Sequence, residues 1–228
     1  LAGNIARAKI FRTFLSDNYA ELSDAFYEGI YGIGFIDLDK DGGIEMLLFD
    51  AGASAAMGLQ FFDIIDDKVE CISANMESVG AAFGGEHKSD VVVNANSFQD
   101  FRLMQDKETG ELFFLVYSGN GAADFSYSEL IRFTNTEGVL ALTSLLYLYK
   151  EYYLESGSET GKRFKVNGRN ASAAEYSSEL NKLNSRMSDT GYLAKGVFLS
   201  EGNYGSSLDG LMEMTDKALC LIGIQLRS

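Results

Sequence analysis

Residues 37–45 carry the most specific chemistry in the sequence, which there reads Asp37-Leu38-Asp39-Lys40-Asp41-Gly42-Gly43-Ile44-Glu45. Carboxylates at alternate positions can converge on one point if the chain coils, and Ca²⁺ takes about six to eight oxygen ligands. Glycine directly after the third carboxylate permits a sharp turn. We therefore predict a calcium site whose ligands are Asp37, Asp39, Asp41, the carbonyl of Gly43, and Glu45, bound directly or through water.

The segment does not have the pattern of an EF-hand. That motif needs a bidentate Glu at its twelfth position, where this chain has Leu48 inside an apolar run. The flanking residues also have the pattern of strands and not of two helices. The spacing therefore predicts a shorter calcium loop between two strands, and the alternative is an acidic turn that holds no metal.

The loop resembles the calcium loop of FG-GAP-type repeats and the D-x-D-x-D-G-x-x-E loops of secreted bacterial proteins. The whole chain resembles a group of secreted or surface-attached proteins of gut Firmicutes that have no assigned function. In that group a helix precedes such a loop, strands follow, and a segment like residues 164–168 leads into a Ser-capped helix. The resemblance implies the same metal ligands and an extracellular or cell-surface location. Lys40 stands where Gly or Asn is usual, and the single copy of the loop does not imply a propeller.

The charge balance restricts the classes of partner. The chain has 228 residues with 33 acidic and 19 basic side chains, a net charge of −14. This charge opposes binding to nucleic acid and to anionic lipid, and it favours solubility and cation binding. No uncharged run reaches the roughly 18 residues of a membrane span, so we predict no membrane insertion. The sequence begins without a Met or a basic and apolar segment, and we expect it to be a mature or trimmed product.

The periodicity of the apolar residues predicts a single α+β domain over residues 1–228. Residues 1–29 have helical spacing, with Ile5, Ala8 and Phe11 on one face. Residues 30–155 predict strands, including 31–36, 44–49, a hairpin over 58–73 and an antiparallel meander over 91–148. Residues 162–228 are mixed, with a helix capped by Ser172 and a final helix, for which a hairpin at Asp216 and Lys217 is the alternative. We expect a large, mostly antiparallel sheet with helices from both ends packed on it.

Three tyrosines form a second candidate site. Tyr147, Tyr149 and Tyr153 share one face if their segment is extended, and such a row could stack on sugar rings or contact a partner. The alternative is a half-buried sheet face, where β-propensity alone favours tyrosine.

Catalytic signatures are sparse. His87 is the single histidine, which excludes a multi-His zinc site, and the sequence has no G-x-S-x-G elbow for a serine nucleophile. Glu45, Glu70 and Glu111 could belong to a glycosidase pair, but pairs arise by chance among 33 acids. Cys71 and Cys220 could form a disulfide or remain thiols.

The sequence therefore favours a non-enzymatic, extracellular module with a structural calcium ion that binds a glycan or a protein. The alternative is a secreted hydrolase that uses carboxylates, with polysaccharide as its candidate substrate. A third reading is a plain interaction domain whose acidic turn binds nothing.

Overall fold

The computed structural model describes residues 2–25, 30–50, 57–75, 77–79, 91–93, 101–119, 125–136, 139–155, 158–191, 197–198 and 207–226. The helices in these ranges are α1 (Ala2–Asp17), α2 (Tyr19–Ala25), α3 (Ala173–Arg186) and α4 (Leu208–Leu221), with a 3₁₀ turn over Ile72–Asn75. None of these helices is long and apolar enough to cross a membrane.

The first sheet, which we call sheet A, is built around three long antiparallel strands. Its strands are β1 (Ile30–Ile36), β2 (Glu45–Asp50), β3 (Met57–Ile65), β4 (Lys68–Cys71), β6 (Val91–Val93) and β14 (Val197–Phe198). The order is β14-β1-β2-β3-β4, and β6 pairs with β3. The loop over residues 37–44 therefore joins two strands that are direct neighbours in the sheet.

The second sheet, sheet B, contains the meander that the sequence predicts. Its strands are β5 (Glu77–Val79), β7 (Phe101–Asp106), β8 (Leu112–Gly119), β9 (Phe125–Thr136), β10 (Val139–Glu155), β11 (Ser158–Val166), β12 (Arg169–Ala171) and β13 (Met187–Asp189). The order is β12-β11-β10-β9-β8-β7-β13, and β5 pairs with β10 in parallel. All the other described pairings of sheet B are antiparallel. The predicted α+β class with a large, mostly antiparallel sheet is confirmed, although the strands divide between two sheets.

The two sheets pack face to face across one apolar core. Leu47, Phe49 and Phe61 of sheet A meet Phe114 and Ile131 of sheet B there. On the other face of sheet A, side chains of α1 and α4 pack against β1 and β2. On the other face of sheet B, Leu183 of α3 packs in a smaller cluster. The order of layers is helices, sheet A, sheet B and α3.

The helices follow the apolar spacing of the sequence. Ala8, Phe11 and Leu15 are buried on one face of α1. The Ser172 hydroxyl accepts a hydrogen bond from the Glu175 amide at 3.1 Å and caps α3, as predicted. The C-terminal segment is the helix α4, with Ser207 as its cap, and not the alternative hairpin.

Some sequence expectations fall outside the described residues. These are His87, the parts of the predicted meander over residues 94–100 and 120–124, and the side chain of Tyr153. The cysteines are described and form no disulfide: Cys71 is half-buried in β4, where its sulfur lies 3.3 Å from the Ser73 hydroxyl, and Cys220 is exposed on α4.

A buried carboxylate organises the turn between β7 and β8. Asp106 accepts hydrogen bonds from the backbone amides of Glu108 at 2.8 Å and Thr109 at 3.1 Å. The Arg186 guanidinium at the end of α3 donates to the same carboxylate at 2.5 Å. The amide of Glu108, together with the Thr109 amide and the Arg186 charge, lowers the pKa of Asp106 against the opposing effect of burial. Asp106 therefore ties the turn to α3.

We expect Asp106→Asn to destabilise the protein in a pH-dependent way. Because the folded pKa of Asp106 lies below the unfolded value, its charge stabilises the fold at neutral pH, and this contribution is lost as the pH falls through the folded pKa. Urea unfolding at pH 7 and pH 3 should show a larger difference between wild type and variant at pH 7. Glu213→Gln, which removes an exposed carboxylate from α4, serves as the control. An equal difference at both pH values would contradict the assignment.

Candidate metal centre

The acidic loop spans residues 37–44 and closes a hairpin of sheet A. Ile36, the last residue of β1, pairs with Glu45, the first residue of β2. Because side chains alternate along a strand, Glu45 is on the same face as Leu47 and Phe49, which pack toward sheet B. Glu45 therefore lies beneath the loop at the border of the inter-sheet core, and it is only 1% exposed.

Three of the predicted ligands converge. One carboxylate oxygen from each of Asp37, Asp39 and Glu45 lies within 4.8 Å of the other two. Asp37 and Asp39 are half-buried, and Glu45 is buried. Among the described residues this is the group of acidic, His or Cys side chains whose geometry could hold a metal ion.

Backbone amides hold the loop in its coiled form. The Leu38 amide donates to Glu45 Oε2 at 2.7 Å, so the buried glutamate fixes the start of the loop. Three further carboxylates accept from amides of the loop: Asp39 from Asp41 at 3.1 Å, Asp37 from Gly42 at 3.2 Å, and Asp41 from Gly43 at 2.6 Å. Gly42 has a φ of +94°, which explains why glycine stands at the turn.

One oxygen of the group has no partner of its own. Oδ1 of Asp37 is buried and makes no hydrogen bond within the part of the chain that the structure describes, while Oδ2 of the same side chain accepts from Gly42. A buried carboxylate oxygen without a donor is unfavourable. A cation between Asp37, Asp39 and Glu45 would supply the missing partner, so these residues fit a bound metal ion.

The electrostatics of Asp39 and Glu45 also fit a bound cation. The pKa of Glu45 is raised to about 9, chiefly by burial and in smaller part by the charges of Asp39 and Asp63, against the opposing effects of the Leu38 amide and Arg7. Burial also raises the pKa of Asp39, aided by Asp41, Asp37 and Asp63. The raised pKa values reflect the cost of placing several negative charges in a partly dehydrated space. A cation would remove this repulsion.

Arg7 of α1 fastens the end of the loop to the rest of the fold. Its guanidinium donates to the carbonyl of Ile44 at 2.9 and 3.1 Å and forms an ion pair with Asp63 of β3. The second carboxylate oxygen of Asp63 accepts from the side-chain amide of Asn135, in β9 of sheet B, at 2.8 Å. This chain of contacts links the helical layer, sheet A and sheet B beside the metal candidate.

Lys40 makes a second connection between the loop and sheet B. Its ammonium group donates to the carbonyl of Gly110, in the turn that Asp106 organises. Lys40 has a φ of 64°, a left-handed conformation that glycine or asparagine adopts more readily. The residue that departs from the usual loop pattern thus has a structural contact.

The structure places the remaining predicted residues as follows. Asp41 is outside the converging group, and its Oδ1 accepts from the Gly43 amide, so the ligand roles of Asp41 and of the Gly43 carbonyl stay predictions.

Tyr147 and Tyr149 are half-buried and pack against the inter-sheet core, with ring centroids 6.4 Å apart. Their role as a platform with Tyr153 also stays a prediction.

Arg7, Asp63 and Asn135 are neighbours of the site that the sequence analysis did not identify. The sequence contains one signal for them, an acid at position 63 among the apolar residues of β3. The partners of Asp63 are 56 and 72 residues away in the chain, so their proximity follows only from the packing of the layers.

Comparisons with known proteins add no precedent for this site. No protein-family model, no curated protein and no solved structure matches the chain. The chemistry of the site is therefore argued from its own residues.

We expect Arg7→Met to destabilise the fold by about 2 kcal/mol, because it leaves the mostly buried Asp63 carboxylate without its cation and Ile44 without its donor. Chemical denaturation measures the loss. Arg12→Met on the same helix is the matched control, since Arg12 and Asp216 form an exposed pair whose loss should cost less than about 0.5 kcal/mol. Asp63→Asn added to Arg7→Met should cost less than the two single changes combined. Equal losses for Arg7→Met and Arg12→Met would contradict this role.

Proposed function

We propose that this protein is an extracellular, non-enzymatic ligand-binding or adhesion module in which a structural Ca²⁺ ion is held by Asp37, Asp39 and Glu45. The observation that carries the metal proposal is the convergence of three carboxylates within 4.8 Å, one of which has a buried oxygen without a hydrogen-bond donor. Asp41 and the Gly43 carbonyl are the candidates for the remaining protein ligands.

The donor set supports calcium over other metals. All the converging ligand atoms are carboxylate oxygens, which suit hard cations, and no cysteine or histidine of the described residues joins the group. Ca²⁺ accepts irregular oxygen cages, whereas Mg²⁺ requires near-octahedral geometry and retains more water. Extracellular calcium modules work at roughly 10⁻⁴–10⁻³ M calcium, which suits the proposed location.

The position of the site supports a structural role. It joins adjacent strands β1 and β2 at the border of the inter-sheet core, and Glu45 is almost completely buried. A cation there would hold the loop on which the contacts of Arg7 and Lys40 depend. An ion in this position stabilises the hairpin and does not by itself act on a substrate.

The alternative of a carboxylate-dependent hydrolase receives less support from this geometry. The carboxyl groups of a glycosidase pair are about 5–9.5 Å apart, which leaves room for the sugar and the water. The three converging acids are closer together, within 4.8 Å, and Glu45 is buried beneath the loop. This spacing suits a shared cation better than attack on a glycosidic bond.

We expect millimolar Ca²⁺ to stabilise the wild-type protein relative to excess chelator. A site filled to about 100 times its dissociation constant adds roughly 2.7 kcal/mol, which raises the melting temperature of a chain this size by about 5–10 °C. Asp39→Asn should abolish most of the shift because it removes one of the three converging carboxylates. Thermal unfolding by circular dichroism measures the effect, and Mg²⁺ at the same concentration should shift the wild type less.

Glu213→Gln is the matched control, because it also converts one carboxylate to an amide but lies exposed on α4 in an ion pair with Lys217. This variant should keep the full calcium shift. If calcium leaves the melting temperature of the wild type unchanged, the loop is an acidic turn without a metal. If Asp39→Asn keeps the shift, calcium binds elsewhere.

A further inference from the structure

The outer face of sheet B, on the side away from sheet A, carries an aromatic and basic surface. Strand register places Tyr117 of β8 and Leu148 of β10 on one face, since both pair with Ser128. Lys150 and Tyr152 follow at alternate positions of β10 on that face. We define the Tyr152 patch by six side chains: Tyr117, Lys150, Tyr152, Lys162, Phe164 and Tyr176.

Tyr152 is the centre of this patch. The ammonium group of Lys150 lies 4.4 Å from the centroid of the Tyr152 ring, and that of Lys162 lies 5.7 Å away. Lys162 is the direct cross-strand neighbour of Tyr152 on β11. Two ammonium groups therefore lie close to the Tyr152 ring, within the range of a cation–π interaction.

Helix α3 forms one border of the patch. The ring of Tyr176, in the first turns of α3, packs against Phe164 with centroids 5.1 Å apart. Burial raises the pKa of Tyr176, and the neighbouring phenols Tyr117 and Tyr152 contribute to the rise. Tyr117 is 43% exposed, so the patch includes a large aromatic side chain open to solvent.

The charge of the patch contrasts with that of the whole chain. The protein has a net charge of −14, yet the charged members of the patch are two lysines. The acids of α3 nearest in sequence to Tyr176, Glu175 and Glu179, form ion pairs with Arg169 and Lys182. The described part of this surface thus combines aromatic rings with two lysine side chains.

We propose that the Tyr152 patch binds a polysaccharide that carries carboxylate groups. The C–H faces of pyranose rings pack on the aromatic rings, and the carboxylates pair with Lys150 and Lys162. The phenol hydroxyls of Tyr117, Tyr152 and Tyr176 offer hydrogen bonds to the sugar hydroxyls.

The geometry favours a polysaccharide over other polyanions. Peptides that dock on sheets use the backbone groups of a free edge, but at Lys150 the strand β10 is paired with both Ser126 of β9 and Phe164 of β11. Nucleic acid has a much denser line of charge, which the net charge of −14 repels. Sparse carboxylates on sugar rings match a surface that has few cations and several aromatic rings.

This inference rests on the proposed ligand-binding role and names a ligand class for it, but it does not depend on the metal. The Tyr152 patch belongs to sheet B, whereas the metal candidate belongs to the β1–β2 loop of sheet A. The two proposals can therefore fail separately.

The test uses carboxymethyl dextran immobilised on a sensor surface, with unmodified dextran and poly-L-glutamate as comparison surfaces. We expect wild-type protein to bind carboxymethyl dextran at least about tenfold more tightly than dextran or poly-L-glutamate. Binding should weaken at high salt, because salt screens the lysine charges. Equal binding to dextran, or tighter binding to poly-L-glutamate, would overturn the assignment of the ligand class.

Two variants locate the binding site. Tyr152→Ala should reduce the affinity for carboxymethyl dextran about tenfold, and Lys150→Gln combined with Lys162→Gln should do the same if Tyr152→Ala fails to fold. Lys217→Gln on α4 removes one positive charge in the helical layer, away from sheet B, and should bind like the wild type. Melting temperatures confirm that each variant is folded. Wild-type affinity in the folded double lysine variant would overturn the proposal.

A last comparison separates this inference from the calcium site. Asp39→Asn should lose the thermal response to calcium and keep its affinity for carboxymethyl dextran. Loss of affinity in the folded Asp39→Asn protein would overturn the independence of the two sites.

Discussion

Burial of strand β2 on both faces is the constraint on which the order of layers depends. Met46 and Leu48 face α1 and α4, while Leu47 and Phe49 face sheet B, and all four side chains are at most 1% exposed. An apolar strand of this kind must be covered on both sides. The helices from the two ends of the chain cover one face, and the meander covers the other. The second face of the meander is in turn covered in part by α3.

This arrangement explains how an acidic loop can have a buried carboxylate. Glu45 begins β2 on the face toward sheet B, so its side chain points into the border of the core by the alternation of the strand alone. The loop then coils over it, and the Leu38 amide, Arg7 and Lys40 fasten the loop to three layers. Like charges gathered at such a border are stable together when a cation offsets their repulsion.

Much of the local structure follows from the sequence because it is encoded by short-range periodicity. The apolar face of α1, the Ser172 cap of α3 and the successive strands of the meander are confirmed in the structure. The convergence of Asp37, Asp39 and Glu45 is consistent with their spacing, since all three lie within the nine residues 37–45 of one hairpin. The division of the strands between two sheets was not predicted, because apolar alternation identifies a strand and not its partner. That the chain is a single domain stays a prediction.

The two faces of β10 are a further feature that apolar alternation in the sequence does not predict. A bulge between Ser144 and Leu146 shifts the alternation, so Leu140 and Leu142 share the inner face with Tyr147 and Tyr149, while Lys150 and Tyr152 face outward.

The sequence by itself determined the helices, the strands, the negative charge and the carboxylate loop, because these depend on residue type and near neighbours. Only the tertiary structure decided that Arg7 and Asn135 meet Asp63 and that Lys162 of β11 lies beside Tyr152 of β10. Those contacts join separate strands and helices, and their positions depend on the packing of whole layers.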